Sequence, residues 1–259
     1  TSMTNNPLTF TMDQARTLTA SFSAVGANPL DEGLVAYYRF DTNSASVPDD
    51  SGNGHTGTLH GATWMPSGIT GGAYSFSNDW IIAHDFFPVT GAGDLTVSFW
   101  TRLSVADWES DLIGWGKVNG INGMIRIMVT SGSWLPPGGR ILVQDGLPGG
   151  PQGTSYDVGS SVISDGNWHF ITVSCANRMT TIWVDGTAER TFGPFAPIGG
   201  STYPLTFGIS PIDTNNYHLK GGSLDEVRIY DRALAMDEVT ALYTLASGPT
   251  ARLAVNGSP

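Results

Sequence analysis

The chain predicts an all-β fold, and three observations carry that expectation. Its 259 residues include 33 glycines and 15 prolines while only 14% are charged, a balance that suits many turns and few long helices. Short stretches alternating apolar and polar residues recur at close intervals, the period-two signature of half-buried strands. A helical period shows only near the end, at Met236 to Tyr243.

Taken in order, residues 5–23 read as a hairpin: Leu8, Phe10 and Met12 alternate with Thr9 and Thr11, and Leu18, Ala20 and Phe22 repeat the pattern after a turn at Asp13-Gln14-Ala15-Arg16. A lone hairpin is marginal in water, so it must pack on something. Strands are then expected at Leu34–Phe40, Ala73–Phe76, Trp80–Ala83, Leu95–Leu103, Met124–Val129, Arg140–Gln144, Trp168–Ser174, Thr180–Val184, Leu205–Gly208 and Ser223–Tyr230. Asp185-Gly186, after Ile182-Trp183-Val184, is a type I′ hairpin pair. In the helix, Asp237 and Glu238 suit the first turn, whereas Ala235 brings no side-chain oxygen for an N-cap. The expected plan is a hairpin over 1–24, a linker over 25–32, one domain over 33–245 and a linker or tail over 246–259.

A formal net charge of −11 with only twelve Lys and Arg disfavours any phosphate-backbone partner, so nucleic acid is not expected. No run of about 18 apolar residues exists, so no membrane insertion is expected. The single Cys175 excludes an internal disulfide and reads as a small buried strand residue. No signal sequence opens at Thr1, and the chain reads as a piece of something larger, with covalently linked neighbouring domains.

One position resists the strand pattern. With a strict period of two, Asp225 shares a face with Val227 and Ile229 and points toward the core. A carboxylate there needs a cation, a set of backbone N–H donors or a metal.

Several stretches together resemble a known family. Gly33-Leu34-Val35-Ala36-Tyr37-Tyr38-Arg39-Phe40-Asp41, Asp50-Ser51-Gly52-Asn53-Gly54-His55-Thr56-Gly57, Leu95-Thr96-Val97-Ser98-Phe99-Trp100, Asp165-Gly166-Asn167-Trp168-His169-Phe170, Trp183-Val184-Asp185-Gly186 and the segment opening at Leu224 occur in the order shown by laminin-G-like domains of the concanavalin A-like lectin/glucanase superfamily. That resemblance implies a two-sheet antiparallel jelly-roll sandwich with one short C-terminal helix. It also implies that the first and last strands are adjacent, with a structural calcium ion near their junction. Asp41 then approaches Asp225, and two carboxylates repel unless a cation joins them. Calcium takes six to eight oxygens, carbonyls included, and the expected ligands are Asp41, Asn53, Gly54, His55, Thr58 and Asp225. An EF-hand reading of the same loop fails because His60 stands where a bidentate Glu is required. The hairpin around Asn6-Pro7-Leu8-Thr9-Phe10 resembles the end of a bacterial immunoglobulin-like repeat.

Superfamily relatives include hydrolases and lyases, so catalysis needs its own residues. A retaining sandwich hydrolase supplies Glu-x-Asp-x-x-Glu from one strand; here Glu109-Ser110-Asp111 is followed by Gly114. Alginate-lyase signatures, Gly-x-Ser-x-Gly and His-Glu-x-x-His are absent from the sequence, and the five His are scattered. Sugars stack their C–H faces on aromatic rings, and Trp108, Trp115, Trp134 and Tyr217 stand in less regular stretches as the expected platform. Trp100, Trp168 and Trp183 lie in strand motifs and read as structural. The sequence thus points to a non-catalytic, calcium-stabilised carbohydrate-binding module that recognises a polysaccharide, carried by a secreted or cell-surface bacterial protein. An adhesive or spacer module, and a lyase or hydrolase with an unfamiliar site, are the alternatives.

Overall fold

The computed structural model describes residues 28–104, 110–119, 122–133, 135–145, 155–195, 197–199, 203–211 and 218–247. The expected N-terminal hairpin and most of the tail lie outside them. A 3-10 turn at Pro29–Asp31 leads into the strands β1 (Leu34–Tyr38), β2 (Ser46–Val47), β3 (Gly57–His60), β4 (Thr63–Met65), β5 (Ala73–Ser77), β6 (Trp80–Ala83), β7 (Leu95–Leu103) and β8 (Ser110–Asn119). The remaining strands are β9 (Asn122–Val129), β10 (Arg140–Asp145), β11 (Ser155–Val162), β12 (Trp168–Ala176), β13 (Met179–Val184), β14 (Thr187–Phe192), β15 (Tyr203–Phe207) and β16 (Lys220–Tyr230), before the helix α1 (Met236–Ser247).

The strands form two antiparallel sheets. The helix-side sheet runs β14-β13-β12-β7-β16-β5-β4, with β1 beside β16; the far sheet runs β11-β10-β9-β8-β15-β6-β3-β2. Alternate residues meet between them in one core, including Val97 and Phe99 of β7, Val227 and Ile229 of β16, Ile125 and Ile127 of β9 and Phe207 of β15. Cys175 is buried in it. The first and last long strands are neighbours, Tyr38 pairing with Val227 and Leu34 with Tyr230. At the Asp185-Gly186 turn both residues have positive φ, 49° and 76°, as a type I′ turn requires.

The helix lies over the outer face of its sheet. Leu234, Val239 and Leu242 cover Trp100, Phe170, Trp183 and Tyr230 in a second apolar cluster. Its N-terminus has no capping oxygen at Ala235, but Glu238 reaches back to accept the Ala235 N–H at 2.9 Å, which is half of a capping box. The same carboxylate is bidentate to Arg232.

The structure corrects the expected orientation of Asp225. Glu226 has φ of 52° and the β16–β7 register shifts between Asp225 and Arg228, so a bulge adds one residue to β16. That residue turns Asp225 out of step with Val227 and Ile229. Asp225 pairs with Trp100, whose side chain lies in the helix-side cluster, while Leu224, Val227 and Ile229 stay in the inter-sheet core. Asp225 is nevertheless fully buried, because a glycine-rich loop covers it from outside the sandwich.

Candidate functional site

The loop over Asp225 is Gly68-Ile69-Thr70-Gly71-Gly72. It fills the edge of β16 where the neighbour changes from β5 to β1. Asp225 Oδ2 accepts from the N–H groups of Ile69 (2.7 Å) and Thr70 (3.3 Å), and Oδ1 accepts from the N–H of Glu226 (2.8 Å). Burial pushes the Asp225 carboxyl up to about 8, the Glu226 charge adds to it, and the three backbone donors oppose it. Asp41 reaches the same loop: its Oδ1 accepts the Gly72 N–H at 3.1 Å and its Oδ2 pairs with Arg39 at 2.8 Å. Glu226 is held by Thr70 Oγ1 and by Arg228, whose guanidinium also lies 3.9 Å from the Tyr37 ring centre. Glycine is required here: a Cβ at Gly68 would overlap the Gly72 carbonyl and Asp225 Oδ2, and one at Gly71 would overlap Asp41 Oδ1.

The expected calcium ligands are therefore split. Asp41 and Asp225 share one loop, as the resemblance implied, but Asn53, Gly54, His55 and Thr58 stand elsewhere. Asn53 donates its amide to the carbonyls of Leu34 and Val35, at the opposite end of β1 from Asp41. The His55 carbonyl accepts from Tyr38 Oη and its ring stacks on Phe86 at 3.6 Å. Thr58 sits in β3, paired with Ile82. The acidic turn is closed by Asp49, which accepts from the N–H groups of Tyr37, Ser51 and His55; this is an Asx-turn arrangement that satisfies itself. With Asp225 engaged by N–H donors and arginines beside Asp41 and Glu226, these residues do not form the six-oxygen set calcium requires. Among the described residues, no group of three His, Cys, Asp or Glu is arranged so that it could hold a metal ion.

The expected aromatic platform changes too. Trp115 is 0% exposed, and its Nε1 donates to the Val89 carbonyl at 2.8 Å inside the core, so it presents nothing to a ligand. Trp108, Trp134 and Tyr217 lie outside the described residues. Trp100 and Trp183 are buried beneath α1.

The outer face of the far sheet gathers residues that the sequence left scattered. One row crosses six strands: Thr58 pairs with Ile82, Ile82 with Thr206, Thr206 with Gly114, Gly114 with Arg126, and Arg126 with Gln144. Arg126 is buried and bidentate to Asp111, both bonds 2.6 Å, and donates to Gln144 at 2.6 Å. Asp111 thus spends both oxygens on an arginine rather than standing free as an acid or base. Toward β3 the face opens. His60 stacks on Trp80 at 5.1 Å, His84 stands 6.3 Å from His60, and His218 lies tilted against Trp80 at 5.7 Å. His60 and His84 are exposed and Trp80 is half-buried. The signal was the alternation of Trp80 and Ile82 in β6, which places both on one face, with His84 in the turn just after it.

A laminin G family model, described as the concanavalin A-like lectin/glucanases superfamily, matches residues 75–240. No curated protein matches the chain. Among solved structures, the binding domain of Paraclostridial Mosquitocidal Protein 1 superposes with a TM-score of 0.65 at 19% identity, over 83% of this chain and 53% of that one. Domain 4 of AbnA, an extracellular GH43 arabinanase from Geobacillus stearothermophilus solved in complex with arabinotriose, gives 0.63 at 22% identity, over 81% of this chain and 98% of that one. The binding domain of botulinum neurotoxin serotype G gives 0.60 at 16%, over 83% and 51%. The chain spans about half the length of the toxin domains and nearly all of the arabinanase domain. At these identities the likeness concerns the fold.

Proposed function

This chain belongs to the concanavalin A-like lectin/glucanase superfamily, and from that premise we propose that it is a non-catalytic carbohydrate-binding domain of a larger extracellular bacterial protein. The observation that carries the proposal is the aromatic ledge of His60, Trp80 and His84 at the open end of the far-sheet row. Exposed ring faces beside a hydroxyl such as that of Thr58 are what a sugar ring needs: stacking for its C–H face and hydrogen bonds for its hydroxyls. Stacking of this kind, on ring faces and without an ion pair to the ligand, suits a neutral polysaccharide. Non-catalytic action is supported by Asp111, whose carboxylate is bound to Arg126. The arabinanase neighbour, a complete domain of similar length bound to arabinotriose, supports the same reading and an extracellular setting.

Titration calorimetry with arabinotriose and a panel of neutral polysaccharides tests it. Trp80→Ala is expected to weaken binding about tenfold, since an aromatic contact is worth about 1 kcal/mol, and no reducing ends are expected to appear. Undiminished affinity in Trp80→Ala, or product release, would overturn the reading.

A further inference from the structure

The helix-side sheet carries a second row on its outer face, beyond the edge of α1. Trp168 of β12 pairs with Arg102 of β7, Arg102 with Ser223 of β16, and Ser223 with Ser75 of β5. Arg102, Ser223 and Ser75 of this row line a cleft of about 270 Å³ together with Met65, Ser104, Gly166, Gly221 and Gly222. The Arg102 guanidinium lies 5.1 Å from the Trp168 ring centre, and its one side-chain hydrogen bond among the described residues is to the Met65 sulfur at 4.0 Å. The other described arginines have partners: Arg39 pairs with Asp41, Arg126 with Asp111, Arg190 with Asp157, Arg228 with Glu226 and Arg232 with Glu238. Arg140 and Arg178 donate to backbone carbonyls. Among the described residues, Arg102 has neither a carboxylate nor a carbonyl partner.

A half-buried guanidinium without an anion, in a chain of net charge −11, is placed for a ligand. Its planar fork matches a carboxylate in bidentate fashion. The rest of the cleft suits a polyhydroxylated body: three serine hydroxyls offer donors and acceptors, and the glycines bring backbone groups within reach without a side chain in the way. Trp168, half-buried beside the cleft, backs the Arg102 guanidinium with its ring. The volume falls just below the range of drug-sized sites, which limits the occupant to about one ring. We propose that this cleft binds a carboxylate-bearing sugar, a hexuronic acid residue, independently of the neutral-sugar ledge on the far sheet.

The test is an NMR titration of the whole wild-type chain with D-glucuronate, and in separate arms with D-glucose and inorganic sulfate. Glucuronate is expected to move the backbone signals of Gly166, Gly222 and Ser223 and the indole signal of Trp168, leaving Thr206 and Trp80 in place. Glucose and sulfate are expected to bind at least tenfold more weakly. Arg102→Gln should abolish the glucuronate response, and Arg102→Lys should retain part of it. Still signals at the cleft residues, an unaffected Arg102→Gln, or glucose binding as tightly as glucuronate would overturn the proposal. Sulfate binding as tightly as glucuronate would overturn the sugar assignment and leave a bare anion site. The wild-type titration locates the ligand without any variant, so an unfolded Arg102→Gln protein does not decide the matter. Loss of the far-sheet ledge by Trp80→Ala should leave this response unchanged, which separates the two readings.

Discussion

Two arginines, each in the middle of an outer row on opposite sheets, meet different fates. Arg126 on the far sheet is buried, clasped by Asp111 and capped by Gln144; Arg102 on the helix-side sheet is half-exposed and faces a cleft, in contact with an indole and a thioether and with no carboxylate partner among the described residues. A buried guanidinium must be neutralised where it stands, because desolvation costs it several kcal/mol. A half-solvated one can wait for its partner. The same residue type therefore serves architecture on one face and is free for recognition on the other.

The largest expected effect breaks the far-sheet member of this pair. Asp111→Ala leaves the Arg126 guanidinium without its carboxylate and is expected to cost about 3–5 kcal/mol in urea unfolding. A second change, Arg126→Met, should return part of that loss. Arg102→Gln, by contrast, gives up a single cation–π contact and is expected to stay within about 1 kcal/mol of wild type. Equal losses at the two sites would erase the distinction.

The helix-side face also depends on the loop that covers Asp225. Gly68→Ala forces a methyl against the Gly72 carbonyl and Asp225 Oδ2 and is expected to cost about 1–3 kcal/mol, the range for overpacking. A change within error would mean that the loop yields freely.

A smaller effect depends on pH. Burial lowers the His169 imidazole, but Asp185 and Asp165, at 2.8 and 3.1 Å, more than compensate and hold it above its ordinary value. A group raised on folding contributes stability that is complete below its unfolded pKa of about 6.5 and is lost as pH rises through the folded value. His169→Gln should therefore lower the melting temperature more at pH 5.5 than at pH 8.5. A difference of the opposite sign would show that the two carboxylates do not hold the proton.

The smallest expected effect is none at all. If the N–H donors of Ile69, Thr70 and Glu226 join the two ends of the sandwich, EDTA should leave the melting temperature unchanged. A ligand that binds only the folded state stabilises by about 2.7 kcal/mol at one hundred times its dissociation constant. A fall of several degrees on chelation would return a cation to the Asp41–Asp225 junction.

Legibility from sequence followed local pattern. Leu95–Leu103, Trp168–Ser174 and Ser223–Tyr230 stood out because their alternation is regular and their apolar residues large. The long strand β8 did not, since Gly114 and Gly116 interrupt it; each lacks a side chain for a tertiary reason, Gly114 facing Pro211 and the Ile125 carbonyl, Gly116 facing the Met124 backbone. The edge strand β14 reads Thr-Ala-Glu-Arg-Thr-Phe, polar enough to pass for a loop. The platform expected at Trp115 failed because an indole in a glycine-flanked stretch looks exposed, whereas it shares the inward face of β8 with Ile113, two positions earlier.

By itself the sequence determined the strand class, the order of the strands, the family and the unusual placement of a carboxylate at Asp225, since all of these follow from composition, period and local wording. Only the tertiary structure decided which way that carboxylate points and what meets it. A single bulge residue, Glu226, reverses the alternation of β16, and a loop more than 150 positions earlier in the chain brings the N–H groups that satisfy Asp225. The rows of Arg126 and Arg102 are likewise products of register between distant strands. Alternation along one strand predicts which residues share a face, but not which strand will lie beside it.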